Sequence, residues 1–348
     1  MLSSVETVHD DLRIEAVLQK AGFTAVHKLT GTLQGSVWKV NQSDRKSKIV
    51  KVASRYYHDH RMARKEGKTY HGIYENVITE RDIMRYLMKH ENFPQSIVKY
   101  DSFLKSHHNY YLVMEYGGQN LFDFIVKAHK LIQEGRIEIS EWRKVVLVMF
   151  KQMIECIEFI HAANVCHFDV SLENFVINEV KVFQTFAASA TAHDDNPKCS
   201  QSRPLPIVHF VLDELQLKLI DFGLAEYFDT TKNECFQSNK YCGKLHYMSP
   251  EIHGKKESFN AQKNDIFCLG VCLFMMCIGN APWNKAHPKD DLFRCLVNGQ
   301  MRKVLKMWKK LHYVTEEGVD LMESIFQYEP HRISIQKIKQ HPWMQSVH

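Results

Sequence analysis

His167-Phe168-Asp169-Val170-Ser171-Leu172-Glu173-Asn174 follows a long apolar stretch, residues 141–163, and carries a carboxylate and an amide five residues apart. The stretch before it has the apolar periodicity of a buried helix. Further on, the short apolar run Leu217-Lys218-Leu219-Ile220 reads as a strand, and it runs directly into Asp221-Phe222-Gly223, a second carboxylate on a turn that ends in glycine. Two acidic turns, one after a helix and one after a strand, are the frame from which the rest of the chain is read.

Upstream, the character is that of strands. Val37-Trp38-Lys39-Val40 and Ile49-Val50-Lys51-Val52 flank the polar run Asn41-Gln42-Ser43-Asp44-Arg45-Lys46, which suits a hairpin turn. Ile78, Ile83, Met84 and Leu87 mark a helix, and Tyr110-Tyr111-Leu112-Val113-Met114 another strand. After Gly117-Gly118 the pattern becomes helical, over 121–133, 141–163 and 264–279. A short amphipathic helix is expected over 10–22, with Leu12, Ile14, Val17 and Leu18 on one side. The expected fold is α+β and bilobal, with a small β-rich N-lobe of about 25–116 and a larger, mostly helical C-lobe of about 117–345. Residues 1–24 are read as an N-terminal extension, and the small, polar segment within about 182–210 as a flexible insertion. No internal repeat is present.

Composition bounds the rest. With 45% hydrophobic and 24% charged residues the chain reads as an ordinary globular protein. A net charge of +5 is mild, and basic runs such as Arg45-Lys46-Ser47-Lys48 and Lys309-Lys310 read as solvated surface rather than a nucleic-acid or membrane patch. Nine cysteines without a Cys-x-x-Cys pair point to neither a disulfide framework nor a zinc ribbon. Cys268, Cys272 and Cys277 lie in an apolar run and read as core. The run Ile266 to Gly279 is too short to span a bilayer. Leu2 excludes myristoylation, and no apolar leader follows. A reducing compartment is expected, the cytoplasm with the nucleus as alternative.

Transfer of a γ-phosphoryl group needs a cradle for nucleotide phosphates, oxygen ligands for metal, and a group to take or orient the proton of the incoming hydroxyl. The two acidic turns resemble the His-Arg-Asp catalytic loop and Asp-Phe-Gly metal site of eukaryotic protein kinases. The resemblance runs in order from about 25 to 345. Lys51 matches the strand lysine, Glu80 its helix partner, and Met114-Glu115-Tyr116-Gly117-Gly118 the hinge. Gly243-Lys244-Leu245-His246-Tyr247-Met248-Ser249-Pro250-Glu251 is similar to Gly-Thr-x-x-Tyr-Met-Ala-Pro-Glu. Asp265 through Val271, Ala281-Pro282-Trp283, Arg332 and His341-Pro342-Trp343 match the later family blocks.

The resemblance implies ATP and Mg²⁺ as cofactors and a protein substrate. It implies that Lys51, held by Glu80, meets the nucleotide phosphates. Asp221 and Asn174 are the implied metal ligands, and Asp169 the implied acceptor of the hydroxyl proton. Leu29-Thr30-Gly31-Thr32-Leu33-Gln34-Gly35-Ser36-Val37, Ile49 and the hinge residues Met114, Glu115 and Tyr116 would line the nucleotide site. Arg332 is expected to pair with Glu251.

The chain departs from the pattern in four places. Only Gly35 falls on one of the three phosphate-loop glycines, Thr30 and Thr32 replacing the others. Ile49 stands where an alanine usually packs on adenine. Phe168 replaces the arginine that pairs with a phosphorylated activation loop, so Thr230, Thr231 and Ser238 are not expected to control activity by phosphorylation. Ser171 replaces the lysine that neutralises the γ-phosphate, while Lys244 replaces a threonine across the same site. Lys244 is expected to supply the missing charge, which adds it to the catalytic set. The rival reading is a pseudokinase scaffold, favoured by the glycine-poor loop, Phe168 and Ser171. Glu173 matches a carboxylate that meets a basic residue in some relatives' substrates, and the second such acid is replaced by Asn120. The substrate and any regulatory partner stay open.

Overall fold

Alternation between residues 35 and 54 builds the centre of a five-stranded antiparallel sheet: β1 (Thr24–Gly31), β2 (Gly35–Asn41), β3 (Ser47–Ser54), β4 (Tyr100–Lys105) and β5 (Asn109–Glu115), in the order β1-β2-β3-β5-β4. The computed structural model describes residues 12–43, 46–65, 68–185, 206–229 and 236–346. Two compact units result. The first comprises Met1–Gly117, Phe159–Phe168 and Ile220–Asn233, and the second Gly118–Glu158, Asp169–Leu219 and Glu234–His348.

Register explains the two faces of the sheet. Val37 pairs with Lys51 and Lys51 with Leu112, while Ile49 pairs with Met114. With a side-chain period of two, these residues share one face. Trp38, Val40, Val50, Val52, Tyr111 and Val113 share the other, where Ile14, Leu18 and Phe23 cover them. Ile14 and Leu18 come from α1, residues 12–20. The short helix expected in the extension 1–24 is present over its described residues, and it covers the apolar sheet face, which must leave water.

α2 (Val77–Leu87) begins at Asn76, whose side chain accepts from the Ile78 and Thr79 amides and so satisfies two orphan donors. Between β3 and α2 lie a short helix, Arg55–Asp59, and a hairpin, Met62–Lys65 with Lys68–His71. Neither was expected from sequence.

The expected single cut near 116 is too simple. Val165–Cys166 pairs with Glu226–Tyr227, the Phe228 amide donates to the Asn164 carbonyl, and both segments belong to the first unit.

In the second unit α3 (Leu121–Gln133), α4 (Ile139–Ala162), α5 (Ala261–Ile278) and α6 (Glu316–Ile325) are the main helices. α4 begins in this unit, and its last turn groups with the first. Asn120 caps α3 and also donates to the Glu173 carbonyl at 3.0 Å. The Trp142 indole N–H donates to the Met276 carbonyl at 2.9 Å, tying α4 to α5. α5 is apolar all round, and by length and composition it could cross a membrane, yet 83% of it is buried. Burial inside the protein, rather than insufficient length, accounts for its composition. Its cysteines Cys268, Cys272 and Cys277 are buried, and burial pushes all three thiols up.

The ends of the expected flexible insertion are ordered. Val182–Thr185 and Ile207–Phe210 form a two-stranded antiparallel ladder, and Phe210 is buried against Phe124 and Trp142. An aromatic anchor and a paired ladder outweigh the polar composition of the segment between them, residues 186–205, which lies outside the described residues.

Candidate active site

Lys51 stands on β3, on the sheet face that α1 leaves uncovered. Its ammonium lies 2.9 Å from Glu80, 2.8 Å from Asp221 and 2.9 Å from Glu75. Glu80 sits in the first turn of α2 and points inward, fully buried. Burial pushes its carboxyl up to about 7; Lys51 pulls against that, and the neighbouring Asp221 and Glu75 charges add to it. Burial alone would lower the Lys51 ammonium, but the three carboxylates hold it well above its usual range. Burial would likewise raise Asp221, and Lys51 outweighs it, keeping that carboxyl below its usual range.

Asp221 has left-handed backbone, φ 65°, a conformation rare outside glycine. Its Oδ1 accepts from the Gly223 amide as well as from Lys51. Gly223 is tightly bounded: a Cβ there would lie 3.0 Å from Glu75 Cγ and 3.2 Å from Asp221 Oδ1, so those side chains would have to give by a few tenths of an ångström. The Asn76 amide donates to the Gly223 carbonyl at 2.9 Å, so the start of α2 is tied to the Asp-Phe-Gly turn. Phe222 is buried edge-on to His167, whose ring also bonds the Ile220 carbonyl.

Phe168 holds φ 65° and is buried, stacked on Phe228 with ring centroids 6.3 Å apart and planes 17° apart. A bulky residue in this region costs about 1–2 kcal/mol, which the packing of the ring offsets. Phe168 thus belongs to an apolar stack and offers no cation.

The second unit carries a separate cluster. Asn174 donates to the Asp169 carboxylate at 2.7 Å and to the Asp169 carbonyl at 2.8 Å. Lys244 donates to the same carboxylate oxygen at 2.8 Å and to the Ser171 hydroxyl at 2.9 Å. Two of the positions where the sequence departs from the family, Ser171 and Lys244, are therefore in direct contact. Arg332 and Glu251 form the expected pair, Arg332 Nη2 donating to both carboxylate oxygens at 3.1 and 2.9 Å, and both side chains are fully buried. Asp265 is fully buried inside α5, where Asn260 is the N-cap.

The phosphate-loop residues divide. Leu29, Thr30, Gly31 and Leu33 are exposed, while Thr32 and Val37 are half-buried. The Gln34 amide turns inward to the Met62 carbonyl at 3.2 Å, and Ser36 accepts from the Trp38 indole at 2.8 Å. Both side chains are buried and turned to these partners, away from solvent. Gly35 has a packing reason: a Cβ would fall 2.0 Å from the Val52 carbonyl oxygen. The Thr32 amide closes the turn on the Gly35 carbonyl at 2.9 Å. At the hinge, Met114 is buried, Glu115 accepts from the Lys99 amide at 2.8 Å, and Tyr116 lies under the Lys39 ammonium, 3.9 Å from its ring centre.

Glu75 escaped the sequence reading. It precedes the N-cap of α2, so no helical periodicity includes it, and no family motif has a place for it.

Oxygen ligands for a divalent cation are available in both units. Asp221 Oδ2 and Asn174 Oδ1 accept no hydrogen bond among the described residues, and both side chains direct their other polar atoms to fixed partners. Three carboxylates against one ammonium also leave the first cluster with surplus negative charge. Hard oxygens and negative charge suit Mg²⁺.

Comparison with known proteins agrees with this geometry. A protein named "Probable serine/threonine-protein kinase" from Dictyostelium discoideum is 27% identical over 269 residues, 77% of this chain and 25% of its own length. Calcium-dependent protein kinase 24 of Arabidopsis thaliana is 26% identical over 276 residues, 78% of this chain and 38% of its own. The SNF-related serine/threonine-protein kinase of Homo sapiens is 27% identical over 263 residues, 75% of this chain and 27% of its own. The chain thus spans about a quarter to two fifths of these relatives. The family profile described as Protein kinase domain matches residues 30–344, nearly the whole chain, and with the ordered motifs above this makes the chain a member of the protein kinase domain family.

Proposed function

We propose that this chain transfers the γ-phosphoryl group of ATP to Ser or Thr hydroxyls of protein substrates. The observation that carries the reading is Asp169, an acid held at one carboxylate oxygen by both Asn174 and Lys244. Asp169 accepts or orients the proton of the incoming hydroxyl. Lys51, fixed by Glu80, meets the nucleotide phosphates as a point charge. Asp221 in the first unit and Asn174 in the second each offer an oxygen that would suit Mg²⁺, and the ion when bound would neutralise charge on the phosphate oxygens. Lys244 takes the place of the lysine lost at Ser171 and acts on negative charge spread over the transferred group, an effect strongest in the transition state. Gly35 and the backbone of the Thr30–Ser36 turn cover the phosphates, with Leu29, Val37, Ile49 and Met114 as apolar neighbours of the base.

The Ser/Thr preference follows the named relatives and the absence of the tyrosine-kinase wording Ala-Ala-Arg or Arg-Ala-Ala after Asp169. The cytoplasm or the nucleus suits the cysteine usage, with no disulfide among the described residues. A scaffold that binds without transferring phosphate is the competing reading. Radiolabelled phosphate transfer from Mg-ATP to a mixed protein substrate, with Asp169→Asn as control, decides between them. Equal labelling by both proteins removes the catalytic assignment.

A further inference from the structure

The Lys51 ammonium has three N–H donors and no acceptor. Two are donated to Glu80 and Asp221, at 2.9 and 2.8 Å, and Glu75 closes the remaining side of the ammonium as an ion pair at 2.9 Å. A nucleotide phosphate that reaches Lys51 therefore needs one carboxylate to leave. Glu80 is enclosed, its side chain only 1% exposed. Asp221 is held by a left-handed backbone and by the Gly223 amide. Glu75 is 19% exposed, sits outside α2, and among the described residues has no hydrogen-bond or ion-pair partner other than Lys51.

We propose that Glu75 occupies the phosphate position on Lys51 and is displaced when nucleotide binds. It is a positioning residue, acting through Lys51, and it does two things. It keeps the ammonium and the Glu80 contact in place before nucleotide arrives. It also opposes phosphate binding, both by occupying the remaining side of the ammonium and by its own negative charge. The close approach of its side chain to Gly223 keeps it over the Asp-Phe-Gly turn, where the competition takes place.

The inference rests on the reading of Lys51 as the phosphate contact. The test is binding to the full chain, by calorimetry, of ADP and of adenosine in a fixed excess of Mg²⁺. Glu75→Ala is expected to tighten ADP about tenfold, the scale of one close ion pair no longer displaced, and to leave adenosine unchanged. Glu75→Gln, which keeps the side-chain volume, is expected to give a smaller gain in the same direction. On a Lys51→Met background the Glu75→Ala gain should vanish. Unchanged or weaker ADP binding in both Glu75 variants overturns the inference, and so does an equal shift for adenosine or a gain that survives Lys51→Met. If Lys51→Met weakens ADP while the Glu75 variants match the parent, only the inference falls. If Lys51→Met leaves ADP untouched, the phosphate reading of Lys51 falls with it.

Discussion

In the first unit one ammonium serves three carboxylates; in the second, one ammonium serves a carboxylate and a hydroxyl. Lys51 is enclosed and fully engaged, whereas Lys244 is about a third exposed and has one anionic partner. The first cluster keeps every residue of the family pattern and adds Glu75. The second loses a lysine at Ser171 and regains one at Lys244, on a different segment of chain but in contact with the same two side chains. Charge can therefore be kept at a place in space while it moves in sequence. The resemblance set Lys244 across the same site from Ser171, and the structure adds that the two are in hydrogen-bond contact at 2.9 Å.

Several substitutions separate the clusters. Lys51→Met or Asp221→Ala is expected to reduce turnover by about a hundredfold or more, because preorganised charge carries much of the catalytic effect. Steady-state phosphate transfer measures this, and near-parental turnover would mean that the first cluster is structural.

Lys244→Thr should lower kcat by about one to three orders of magnitude with little change in the KM for ATP. Adding Ser171→Lys to that variant restores the family arrangement and should recover much of the loss. The two sites share contacts, so strong coupling is expected in the double-mutant cycle. Purely additive effects would show the two departures to be unrelated.

Glu80 separates the clusters by pH. Its carboxyl, near 7 in the folded protein against 4.5 ordinarily, binds its proton more tightly when folded. The contribution of this group to stability is thus full below about pH 4.5 and lost as pH rises through about 7. A shift of this size corresponds to about 3 kcal/mol at most. Thermal melts should show the parent losing stability relative to Glu80→Gln between those values; a difference that does not vary with pH would contradict it.

The smallest expected effect is none. Phe168 stacks on Phe228, so a phosphorylated loop residue finds no cation at that position. Phosphatase-treated protein should keep its rate. Loss on treatment, with recovery by acidic substitution at Ser238, Thr230 or Thr231, would show that another basic residue serves. Of these three, Thr230 and Thr231 lie outside the described residues, and Ser238 is buried.

Local pattern carried much of the architecture. The expected helix 121–133 matches α3 at both ends, and the hairpin around Asn41–Lys46 forms as read. These elements were readable because their signals lie within one turn or one strand pair: apolar period, a polar turn, a capping Asn. The short helix and hairpin between β3 and α2 were not, since residues 55–71 are polar, aromatic and basic without a clear period. The ladder joining Val182–Thr185 to Ile207–Phe210 was missed because its partners stand more than twenty residues apart in a polar segment.

By itself the sequence determined the family, the order of the main strands and helices, and the choice of Lys51, Glu80, Asp169, Asn174 and Asp221 as the charged and amide groups of interest. Those follow from residue type and spacing, which folding does not alter. Tertiary structure alone decided that α1 belongs to the core, that Gln34 and Ser36 turn inward, and that Glu75 pairs with Lys51 beside Glu80 and Asp221; the family resemblance had already set Lys244 across from Ser171, and the structure supplied their direct contact. Each of these joins side chains from separate segments, and short-range electrostatics and packing depend on distances of a few ångströms that sequence separation does not encode.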